Sequence, residues 1–240
     1  MVRGLSALLA AYGLAAAYLL VAPSLPAISD PDVAALASGS VGLIAFAVCA
    51  LTLVSLHDAP VPLALVALGS LLLTVTLSTT DARTAEDLAK VTLAASIGLL
   101  LAWGLRGLPA AVIGVPLFVA AIDVWSVTTG PTSVLVSQHA AAADALSFRL
   151  PAWGSGAGGA QLGISDIVFL AFFAGSACRY GFRRQVTFPL LVLSLVGTLA
   201  VGIALNRVVP ALPGLALALL LPNLDRLPRL LRPDAAAEPR

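Results

Sequence analysis

The chain has 240 residues, 60% of them hydrophobic and 10% charged, with a formal net charge of +1 and a mean hydropathy of +1.02. Soluble domains carry about a quarter of their residues as charges, so this composition excludes an ordinary soluble domain and predicts an all-α polytopic membrane protein. Its basic residues are scattered over span ends and the tail, which excludes nucleic acid as a partner. Cys49 and Cys178 sit in apolar stretches without paired spacing, so they read as small core hydrophobes and not as a metal or redox site. No metal and no cofactor is expected.

A spanning helix needs about 20 mostly apolar residues. By that rule about eight transmembrane helices are predicted, near 4–23, 33–56, 61–79, 88–105, 108–128, 163–180, 186–205 and 208–222. The first ends where Pro23 and Pro26 stop a helix; its apolar run is longer than that of a signal peptide, so it is read as a span. Connections are short. The polar stretch 78–87 carries Asp81, Arg83, Glu86 and Asp87 and reads as a solvated loop. Pro116 lies within the fifth span, where its missing backbone donor favours a kink before Asp123. The longest interruption, 129–161, holds His139, Asp144 and Arg149 and a Gly-rich run at 154–159. No Gly-Lys-Ser/Thr follows that run and no strand is expected before it, so it reads as a linker and not as a phosphate loop. His139 has no second ligand at metal spacing and reads as a surface histidine.

The basic residues set an orientation. With eight spans both termini share a side, and that side collects nine of them: Arg3, Arg106, Arg179, Arg183, Arg184, Arg226, Arg229, Arg232 and Arg240. The other side has four, Arg83, Lys90, Arg149 and Arg207. The positive-inside rule then predicts a multi-pass cell-membrane protein with both termini in the cytoplasm. The chain divides into a four-helix membrane region at 1–107, a second membrane region at 108–222 and a tail at 223–240, whose arginines read as a stop-transfer flank beside the lipid bilayer.

Two acids break the apolar pattern. Asp123 falls in Ile122-Asp123-Val124-Trp125, and Asp166 follows Gly163-Ile164-Ser165 at the head of an apolar run. A carboxylate at the centre of a spanning helix is disfavoured by roughly 2.5–3.5 kcal/mol on insertion scales, so such residues face a cavity, find a partner or do chemistry. In the predicted topology both lie roughly 6–8 Å below the outer face, because antiparallel helices bring them to one depth. The last span starts at that same face with Pro210-Ala211-Leu212-Pro213-Gly214, whose prolines leave backbone groups unpaired and so predict backbone that lines a cavity or is packed in protein.

In this order and at this spacing, Ile122-Asp123, Gly163-Ile164-Ser165-Asp166 and Pro210-Ala211-Leu212 resemble the signature of the presenilin and signal peptide peptidase family of intramembrane aspartyl proteases. That signature is an Asp, often after Tyr, a Gly-x-Gly-Asp on the next helix and a Pro-Ala-Leu on the last. The likeness covers roughly 108–222, and the first four helices match only as generic spans. It implies a presenilin-like bundle, Asp123 and Asp166 as catalytic carboxylates, and Gly163, Ser165, Pro210, Ala211 and Leu212 around the substrate cleft. The activity it implies is hydrolysis of peptide bonds in transmembrane segments or signal peptides whose N-terminus is cytoplasmic, with substrate helices as partners. Ile122 replaces the usual Tyr and Ser165 the second Gly, the latter adding a side chain where the family has close helix approach. Eight spans are one fewer than the family's nine. The competing readings are interhelical hydrogen bonding by two buried acids, a proteolytically inactive presenilin-like scaffold, and a proton-coupled transporter or channel. A prepilin-peptidase-like enzyme ranks lower, because Ile167-Val168 stand where that group has a lysine.

Overall fold

The computed structural model describes residues 2–80, 82–130, 146–154 and 160–230. Asp81, His139, Asp144, most of the Gly-rich run and the arginines of 231–240 lie outside them. The described residues form α1 (Val2–Val21), α2 (Pro31–Thr52), α3 (Pro60–Leu77), α4 (Arg83–Gly104), α5 (Ala111–Thr128), a hairpin of β1 (Ser147–Arg149) and β2 (Gln161–Gly163), α6 (Ile164–Arg179), α7 (Arg184–Leu205), α8 (Leu212–Leu220) and a final turn, α9 (Leu227–Leu230). Among the described residues the fold is all-α apart from the hairpin. Six helices, α1 to α5 and α7, are long and apolar enough to cross a membrane, which is compatible with a multi-pass membrane protein.

The other two of the eight expected spans are shorter. The 16 residues of α6 reach about 24 Å at 1.5 Å per residue, less than a typical hydrocarbon core of about 30 Å. The apolar segment around α8 runs Leu212–Asn223, ending in a turn of 3-10 helix. Both are interior elements: α6 contacts α2, α4, α7 and α8, and α8 contacts α5, α6 and α7.

The most extensive helix contact, α4 on α6, crosses the boundary drawn at 107 and makes the two membrane regions one packed body. Small residues explain it. In α4, Ala94, Gly98 and Ala102 recur every fourth position, and in α6 Ala171 and Gly175 do the same. A Cβ on Gly98 would stand 2.1 Å from the Val168 carbonyl oxygen, and one on Gly175 would stand 2.9 Å from Leu99. Helices in an apolar solvent gain by close backbone approach rather than by expelling water, and small residues four apart permit it. Phe172 and Phe173 pack beside this seam, 5.6 Å apart at 60°, a favourable edge geometry. The helix α5 is built differently: it runs through Pro116 without interruption, and only Val112, Pro116 and Val119 of its 18 residues are buried.

The hairpin corrects the expectation that no strand precedes the Gly-rich run. It is antiparallel, with Ser147 opposite Gly163, Phe148 opposite Leu162 and Arg149 opposite Gln161. Two further bonds extend it, from Leu150 N–H to the Ala160 carbonyl at 2.8 Å and from Ile164 N–H to the Leu146 carbonyl at 3.1 Å. Phe148 is fully buried and meets the Phe46 ring of α2 at 5.6 Å. Below it, Gly39 and Gly42 clear room on α2 for Leu150 and Pro151. Trp153 Nε1–H donates to the Tyr18 hydroxyl at 3.0 Å, which donates to the Ser38 carbonyl at 2.8 Å. The hairpin is thereby anchored to α1 and α2, and its second strand runs straight into α6.

The bundle has two distinct ends. At one, Arg179 pairs with Asp58, Arg183 with Asp225 at 2.9 Å, Arg226 donates to the Gly181 carbonyl and the Tyr180 hydroxyl to the Arg106 carbonyl at 3.3 Å. At the other are the hairpin, Arg207 and the start of α8. The grouping of Arg106, Arg179, Arg183 and Arg226 at one end follows from up-and-down helices with short connections.

Candidate active site

Asp166 lies in the first turn of α6, two residues past its start. Its Oδ2 accepts the Gly163 N–H at 3.2 Å, satisfying one of the donors that every helix leaves unpaired at its N-terminus. Gly163 fits for a steric reason, since a Cβ there would stand 3.3 Å from both Asp166 Oδ2 and Ser165 Oγ. Behind Asp166, Ile167, Leu170 and Ala171 are fully buried, so its backbone is fixed by the seam with α4.

Asp123 lies five residues before the end of α5, and what holds it is α8. The residue that begins α8, Leu212, donates its N–H to Asp123 Oδ2 at 2.9 Å. Ala211, which precedes that helix, has no side chain able to cap it, and Pro213 has no N–H to offer. Asp123 therefore caps α8 from another helix, and the positive end of the helix dipole favours the carboxylate. The backbone freed by Pro210 and Pro213 finds its partner in this acid.

Both carboxylates are half-buried. They line one cavity of about 960 Å3 with Gly163, Ser165, Gln161 and Ala211, and they lie near enough to feel each other's charge. In each, Oδ2 takes a backbone donor, and the Ala211 backbone also bears on the Asp123 carboxylate. The remaining wall is chiefly apolar, from Leu43 of α2 and Leu195, Leu199 and Ile203 of α7. A cavity of this size and lining is in the range of ligand-binding sites.

Of the seven residues singled out from sequence, Asp123, Asp166, Gly163, Ser165 and Ala211 line this cavity. Leu212 is buried and touches the site through its N–H, and Pro210 is the partly exposed residue before Ala211. Ser165 is exposed to the cavity; the close helix approach expected near it falls instead at Gly98 and Gly175. Sequence reasoning missed Gln161 and Arg207, which also line the cavity. In the sequence Arg207 figures only in the count of charges that set orientation, and Gln161 only as the end of the 129–161 interruption. No group of three or more His, Cys, Asp or Glu suited to a metal occurs among the described residues.

No protein-family model, no curated protein and no solved structure matches the chain.

Proposed function

We propose that the chain is an intramembrane aspartyl protease, hydrolysing peptide bonds in transmembrane segments or signal peptides. The observation that carries this reading is the placement of Asp123 and Asp166, from two different helices, on one cavity in the range of ligand-binding sites. The likeness of the three sequence motifs to the presenilin and signal peptide peptidase family supports it. The eight apolar segments form a multi-pass bundle in the cell membrane, with the arginine-bearing end and both termini in the cytoplasm. The reacting region is 108–222, carried by the helices of 1–107.

Two carboxylates that share a site do not both ionise readily, so near working pH the pair holds one proton. The ionised member takes a proton from a water molecule as the water oxygen attacks the scissile carbonyl carbon. The protonated member hydrogen-bonds to the carbonyl oxygen and stabilises the tetrahedral intermediate. As the C–N bond breaks, the amine takes a proton from the pair, leaving a new carboxyl terminus and a new amino terminus. Because the carboxylates are coupled, these roles belong to the pair and not to either residue. The substrate must leave its helix here, since in a helix the scissile carbonyl is engaged by an N–H four residues on. The irregular backbone from Val209 to Ala211 shapes the wall beside it. No metal or cofactor enters these steps.

The test is incubation of the purified protein in liposomes with transmembrane peptides in 18O-water, with mass spectrometry of the products. The expected result is cleavage with one heavy oxygen in each new carboxyl terminus and a bell-shaped pH–rate profile, the mark of one acid and one base. No cleavage of several helical peptides by folded protein would overturn the reading. One observation favours a second reading, a proteolytically inactive membrane scaffold. Each Oδ2 makes a capping bond, which a purely structural aspartate would also make.

A further inference from the structure

The cavity carries a third charge. Among the described residues, the charged residue on its wall besides the two carboxylates is Arg207, beside Asn206 and Val208 where α7 gives way to the segment leading to α8. Its backbone is fixed: Asn206 closes α7 in the left-handed conformation with φ 48°, and Arg207 N–H donates to the Gly202 carbonyl at 3.0 Å. Gly202 also leaves room for the Arg207 carbonyl, since a Cβ on Gly202 would stand 3.1 Å from that oxygen. The chain thus delivers an arginine at one defined place on the rim. The residue is exposed, and among the described residues its guanidinium has no acidic partner, whereas Arg179 and Arg183 at the opposite end are paired with Asp58 and Asp225.

We infer that Arg207 is a specificity-determining residue that binds a carboxylate of the substrate on the hairpin side of the scissile bond. This rests on the protease reading of the same cavity. Two features select the ligand. A guanidinium presents parallel donors that match a carboxylate in a bidentate pair. The Asp123–Asp166 pair, which carries negative charge while it holds a single proton, repels a second carboxylate from the deeper wall. A peptide with one acidic group therefore has one place in the cavity for it and lies in one direction across the pair. In the proposed orientation this is the extracytoplasmic part of the substrate, so the acid is either its terminal carboxylate or an Asp or Glu side chain close to the cleavage point.

The experiment measures binding, so it does not depend on turnover. Fluorescent apolar peptides of one sequence are made with a free C-terminal carboxylate, with a C-terminal amide, and with an amide plus one internal Glu. Their affinities are read by anisotropy for wild type, Arg207→Gln, Arg207→Lys and Arg207→Glu in micelles of a neutral detergent. Wild type is expected to bind at least one carboxylate peptide about tenfold more tightly than the plain amide, as a charge-assisted pair does. Which peptide gains identifies the source of the acid. The preference should vanish in Arg207→Gln, survive in part in Arg207→Lys and invert in Arg207→Glu, which should bind the plain amide more tightly than either carboxylate peptide. Equal affinity of wild type for all three peptides would overturn the inference, as would an undiminished preference in Arg207→Gln. An equal loss for every peptide in Arg207→Gln would also overturn it, since that would mark a structural role. A preserved carboxylate preference without any cleavage would instead contradict the protease reading alone.

Discussion

The two aspartates are held in opposite ways. Asp166 stands on α6, where ten of sixteen residues are buried and the backbone meets α4 at Gly98 closely enough to exclude a methyl group. Asp123 stands on α5, where three of eighteen are buried and whose extensive contact is with α8. Asp166 has a packed backbone and a carboxylate held by the residue before its own helix, whereas the Asp123 carboxylate is held by the first residue of another helix, α8. The geometry of the pair is therefore decided by the position of α8 as much as by the helices that carry the acids.

The largest effect that would sharpen this contrast is on the packed side. Gly98→Ala puts a methyl group against the Val168 carbonyl and should destabilise the protein by about 3 kcal/mol, at the upper end for overpacking, seen as a lowered unfolding midpoint in detergent. An unchanged midpoint would mean that the seam is not the rigid element described.

Next is the far end of α8. The Asn223 amide donates to the Thr187 hydroxyl at 3.0 Å and the Leu219 carbonyl at 2.8 Å and accepts the Arg183 N–H at 2.9 Å, tying α8 to the start of α7. Asn223→Ala leaves Thr187 and Arg183 short of partners and should cost about 2 kcal/mol. Because α8 holds Asp123, cleavage should fall further than stability accounts for. A matching fall in both would dissociate the α8 clamp from the site.

Smaller effects belong to the loosely held helix. Nothing lies within 4 Å of a Cβ placed on Gly114 of α5, so Gly114→Ala should raise stability by about 0.5–1 kcal/mol through helix propensity. Loss of stability there would show that α5 is packed in a way its exposure conceals. The least effect is expected from Ser165→Gly, whose side chain faces open cavity; the cleavage rate should change by less than about threefold, a difference under 1 kcal/mol. A larger change would restore Ser165 to a direct part in the site.

Much of this was legible in the sequence because apolar runs make polar residues conspicuous. Asp123 and Asp166 are visible as charges in apolar runs, and Pro210 and Pro213 as a break in the last one. Helix existence followed from apolar length alone. The hairpin was not legible, since two three-residue strands, Ser-Phe-Arg and Gln-Leu-Gly, are too short to display an alternating pattern. The α4–α6 seam does leave a signal in the sequence, the four-residue spacing of Ala94, Gly98 and Ala102 matched by Ala171 and Gly175. The shortness of α6 and α8 was hidden for a different reason: interior helices are as apolar as spans, so composition does not reveal where they stop.

Whether Asp123 and Asp166 act as one pair is decided by comparing cleavage of one transmembrane peptide by wild type, Asp123→Asn and Asp166→Asn in the same liposomes, with each variant's unfolding midpoint recorded alongside. Asparagine keeps the size of the side chain and an acceptor for the Leu212 or Gly163 N–H, while removing the exchangeable carboxyl proton. If the two acids act as one proton-sharing pair, each variant remains folded and loses activity by on the order of 1000-fold or more. A variant that retains more than about a tenth of the wild-type rate, a difference below 1.4 kcal/mol in barrier, would contradict the account and leave that aspartate as a helix cap.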